Sequence, residues 1–84
     1  MSNINFILEQ LNVVLNDKLT PRNIKRAVEN AINILNDQEK EEKVKVAQAL
    51  NQIESIIDDP NMPLYIRTLL LQITAALSEM MNKD

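Results

Sequence analysis

Three cations are the side chains best spaced to do chemistry. Arg22 and Arg26 stand four residues apart, on one face of any helix that contains them, with Lys25 flanking. At a helix start, free backbone N–H groups and guanidinium forks together can hold a phosphate or carboxylate, so Arg22, Lys25 and Arg26 form a candidate anion contact. Cations there also oppose the helix dipole, by a few tenths to about 1 kcal/mol. The plainer expectation is pairing with Asp17 before them and Glu29 one turn later. Asp58-Asp59 invites an acid–base or metal reading, but adjacent carboxylates seldom converge on one ion and no further oxygen donor is suitably spaced. A turn in which they accept nearby N–H groups is expected instead. Tyr65, Thr68 and Thr74 have no recognisable base beside them.

Composition removes most other chemistry. The 84 residues include no Cys, His, Gly or Trp. Disulfides, the usual zinc sites and thiol, Ser-His or Cys-His nucleophile systems are therefore excluded, as are glycine-rich phosphate loops. No catalytic residue, cofactor or metal is expected, and the chain reads as a non-enzyme. Net charge is −3, with one Tyr and one Phe, which leaves neither the charge footprint nor the stacking surface of a nucleic-acid binder. Met1–Asn5 carries no basic leader, and no apolar run is longer than the three residues of Leu69–Leu71, far below the roughly 20 residues of a membrane span. A cytoplasmic location is the expectation.

The elements that position these residues are helices. A chain without glycine is poorly suited to tight β-hairpins. Apolar residues recur at spacings of three and four: Ile4, Leu8, Leu11 and Leu15 with Ile7 and Val14 beside them; Ile24, Val28, Ala31 and Leu35; Val46, Leu50, Ile53 and Ile57. A fourth set runs from Ile66 through Leu70, Ile73 and Leu77 to Met80. The pattern predicts helices over 3–16, 21–36, 38–58 and 63–82. Thr20 is read as an N-cap with Pro21 at the first helical position, and Asp37 as the cap of the third helix. Glu39/Lys43 and Glu41/Lys45 are read as intrahelical pairs. Short connections imply antiparallel neighbours.

Shifting the chain by 42 residues superposes Asp17 on Asp59, Pro21 on Pro63, Ile24 on Ile66, Lys25 on Arg67 and Leu35 on Leu77. The unit helix–Asp–Pro–helix thus occurs twice, with a period in the HEAT and armadillo range. Two units fall short of a solenoid. The expected fold is all-α: one domain over 1–84, an antiparallel up-and-down four-helix bundle built from two similar helical hairpins.

The stretches Thr20–Ala27 and Asp58–Leu69, above all Asp59-Pro60-Asn61-Met62-Pro63, resemble uncharacterised protein family 0147 (UPF series), a set of small archaeal proteins. That resemblance implies an archaeal cytoplasmic protein with a compact four-helix fold. The family brings no assigned activity and no functional residues.

The fourth helix carries more than its core stripe. Leu64, Thr68, Leu71, Ala75 and Ser78 form a second face, small and largely apolar. One stripe per helix suffices for a bundle, so this face implies either deep burial or contact with another molecule. The leading expectation is an interaction module that binds a protein partner or forms a homo-oligomer through this helix. The alternative is an accessory factor of an RNA–protein particle, using Arg22, Lys25, Arg26 and Arg67.

Overall fold

The computed structural model describes residues 3–82. Met1 and Ser2, part of the stretch without a basic leader, lie outside them. Four helices follow in order: α1 (Asn3–Asn16), α2 (Arg22–Leu35), α3 (Glu42–Glu54) and α4 (Leu64–Met81). No strand occurs among the described residues. The helices pack as a closed ring, with α1 against α2 and α4, and α3 against α2 and α4. No contact of this kind joins the diagonal pairs among the described residues.

Each helix turns one stripe inward, at the three- and four-residue spacing that a helix requires. Ile7, Leu11 and Val14 of α1 are fully buried, as are Ile24, Val28 and Ala31 of α2. Val46, Ala49 and Ile53 of α3 meet Ile66, Leu70, Ile73 and Leu77 of α4 in the same core. The α1 stripe differs from the expected one. Ile7, Leu11 and Val14 form its centre, while Ile4, Leu8 and Leu15 are partly buried on its flank. Met62 and Met80 fill the core, and Met81 is exposed.

The third helix is shorter than its periodicity suggests. It begins at Glu42, because residues 37–41 form a turn, and it ends at Glu54. Beyond it the Ser55 hydroxyl donates to the Gln52 carbonyl at 2.6 Å, and the Ile56 N–H bonds back to Ile53. These local bonds tighten and terminate the last turn. Glu39 consequently lies outside the helix, so the Glu39/Lys43 intrahelical pairing does not arise, and Lys40 donates to Gln48 Oε1 at 2.7 Å.

One turn design recurs three times, over residues 17–21, 37–41 and 59–63. Each opens with an Asp whose Oδ1 accepts the N–H two residues on: Leu19 at 2.8 Å, Glu39 at 2.9 Å and Asn61 at 2.8 Å. Each closes with an extended residue (Pro21, Glu41 or Pro63) as the N-cap of the next helix. Asp37 therefore shapes its loop and does not cap α3. Thr20 likewise is not an N-cap. Its buried hydroxyl donates to the Val14 carbonyl at 2.8 Å, near the end of α1, which also accepts the Asp17 N–H at 3.3 Å. No described residue has a positive φ, so the turns need no glycine.

Candidate interaction face

The first and third turns bond to each other. Tyr65, on the first turn of α4, donates its hydroxyl to Asp17 Oδ1 at 2.7 Å. Asn23, on the first turn of α2, donates its side-chain amide to Asp59 Oδ2 at 2.6 Å. Asn23 and Tyr65 are 42 residues apart, as are Asp17 and Asp59, so the cross-link is reciprocal. Arg67 adds bonds from its guanidinium to the Ile57 carbonyl and, at 2.6 Å, to the Asp59 carbonyl. The Tyr65 hydroxyl and the Leu19 N–H hold the Asp17 carboxyl below the ordinary carboxylate range. Asn23 and the Asn61 N–H do the same for Asp59. The bond to Asp17 raises the Tyr65 phenol above its ordinary value. Asp59 is thus an N–H acceptor within a turn, as expected. Neither cross-turn donor, Asn23 to Asp59 or Tyr65 to Asp17, was legible: the only sequence signal is that each lies two residues after a proline in the 42-residue register.

The second face of α4 is not buried within this chain. Leu64 is 78 % exposed and Leu71 is 52 % exposed, and Thr68 between them and Ala75 one turn further on are exposed too. Ser78, at the far end, is half-buried. Leu64, Tyr65, Thr68 and Leu69 line an open apolar depression on this helix. Monomers seldom leave large apolar side chains grouped in this way without a use for them.

Arg22, Lys25 and Arg26 are brought together. With Leu15 of α1 and Glu29 they line a depression of about 230 Å³ between α1 and α2. Glu29 shares it, and Lys25 stands near enough to Asp17 to contribute to that carboxyl's lowered pKa. Glu29 therefore lies with the cluster, and Asp17 near its Lys25. Arg67 belongs elsewhere, tied to the turn before α4. Among the described residues no group of three acidic side chains could hold a metal ion, and no helix is long and apolar enough to cross a membrane.

The model of an uncharacterised protein family, UPF0147, matches residues 1–80. The chain belongs to this family. A UPF0147 protein of Pyrococcus furiosus is 44 % identical over 77 residues, covering 90 % of this chain and 83 % of the relative. One from Pyrococcus horikoshii is 40 % identical over 84 residues, covering 94 % and 90 %. Among solved structures, the crystal structure of the unknown function protein MMP1188 is similar, with a TM-score of 0.85 and 36 % identity. That likeness covers 89 % of this chain and 85 % of the other. The UPF0147 relatives are archaeal proteins, as the Asp59–Pro63 stretch implied.

Proposed function

We propose that this UPF0147 protein is a cytoplasmic, non-enzymatic interaction module that binds itself or a protein partner through α4. The observation that carries this reading is the exposure of Leu64, Thr68, Leu71 and Ala75 on a helix whose opposite side already fills the core. Burying such side chains is worth about 1.5–3 kcal/mol each for the large apolar ones, which a partner can supply. The scaffold we propose for it is one domain, an antiparallel pair of similar hairpins with a HEAT-like period. The reciprocal bonds of Asn23 and Tyr65 support that pairing.

Affinity purification of the tagged chain from its native host, with and without nuclease, tests the reading. A protein retained by the wild type, insensitive to nuclease and lost with Leu64→Glu/Leu71→Glu, is the expected result. Absence of both a partner and self-association overturns it. The gathering of Arg22, Lys25 and Arg26 in one depression favours a second reading, contact with an RNA–protein particle. That reading predicts nuclease-sensitive partners and a steeply salt-dependent RNA affinity, lost in Arg22→Ala/Arg26→Ala. No RNA binding at low salt ends it.

A further inference from the structure

The charges of this molecule are segregated by side. α1 carries one charged residue, Glu9, and α4 carries two, Arg67 and Glu79. α2 and α3 carry four each. The exposed large apolar side chains are distributed the opposite way, since of those on helices only Val44 lies outside α1 and α4. Both aromatic residues of the chain are among them, and interfaces are enriched in aromatics.

Helix geometry brings Phe6, Val13, Leu64 and Tyr65 onto one flank. Leu15 marks the side of α1 that meets α2, because it shares a depression with Arg22 and Lys25. At about 100° per residue, Phe6 and Val13 lie roughly 160–180° around α1 from Leu15, on the side next to α4. Phe6 is 54 % and Val13 53 % exposed. On α4, Arg67 reaches the α3–α4 turn and so marks the α3 side, whereas Tyr65 reaches Asp17 and marks the α1 side. Leu64 and Leu71 face outward between these two sides.

We infer that the flank formed by α1 and α4 is a homodimer interface, covered in solution by the same flank of a second copy. The inference rests on the interaction reading above and names its occupant. Three observations select a second copy. A nearly uncharged face needs no partner of opposite charge and can meet itself in a two-fold, isologous contact. α1 carries no cation, the Arg67 guanidinium of α4 is bonded to backbone carbonyls, and the chain is net acidic, which disfavours an anionic membrane or nucleic acid there. The molecule measures 36 × 22 × 21 Å, so one long side offers an area close to the ~800 Å² per partner that stable interfaces bury.

Sedimentation velocity of the full chain, from about 1 to about 100 μM, is the test. A concentration-dependent dimer is expected. Leu64→Glu and, on the other helix, Phe6→Glu should each weaken it at least about tenfold. Val44→Glu on α3 should leave it unchanged. All three side chains involved are exposed, and circular dichroism checks that each variant stays helical. A wild type monomeric throughout overturns the homodimer. If such a monomer still retains a native-host protein in a manner sensitive to Leu64→Glu, the interaction reading survives without it; if it retains none, both fall. A dimer unaffected by Leu64→Glu and Phe6→Glu overturns this choice of face.

Discussion

Asp17 and Asp59 each accept one bond inside their own turn and one from the other half of the chain. Both folded-state pKa values lie below the ordinary one, so the stability they contribute is present above about pH 4 and is lost as the pH falls through the lower folded values. Urea titrations between about pH 7 and pH 2 should show a loss of stability below about pH 4. The variant Asp17→Asn/Asp59→Asn keeps an acceptor oxygen in each turn but cannot titrate, and its profile should be flatter there. The two aspartates stand out in the sequence because they repeat with their prolines. Their donors do not, because a hydrogen bond across 36 or 48 residues imposes no local pattern on either side. The basic cluster was legible because its members are neighbours on one helical turn. Its shared depression with Leu15 depended on how α1 and α2 pack.

At the scale of elements, periodicity located α1, α2 and α4 almost to the residue. It overextended α3 on both sides, since the mostly charged residues 38–41 and apolar Ile56 and Ile57 carry helix-compatible spacing into turns. The middle turn does not stand out as a repeat of the other two because Glu41, not proline, occupies its last position. Asp37 still makes the same bond to the second residue on, which identifies the design. Alanine spacing matters as well. Ala31 of α2 and Ala49 of α3 are fully buried in the core, where packing leaves little room for a longer side chain. Ala49→Leu should overfill this region and lower stability by about 1–3 kcal/mol, as read from chemical denaturation. An exposed change on the same helix, such as Gln48→Ala, should stay within about 0.5 kcal/mol.

For the whole molecule, the ring of contacts places half of the helix–helix packing between the first two helices and the last two: α2 on α3, and α1 on α4. The reciprocal turn bonds cross the same boundary. Fragments divided within the 37–41 turn should therefore be weakly helical alone and regain helicity when mixed in equal amounts, as followed by circular dichroism. Independent folding of either fragment would show that the cross-boundary contacts are dispensable. The absence of any positive φ among the described residues has a consequence in the unfolded chain. Each glycine that a turn does without removes conformers the chain must give up on folding, worth about 0.4–1 kcal/mol where the native geometry permits the replacement. Three turns built from Asp, Pro and ordinary residues thus gain stability from a stiffer starting ensemble, which no list of native contacts would reveal.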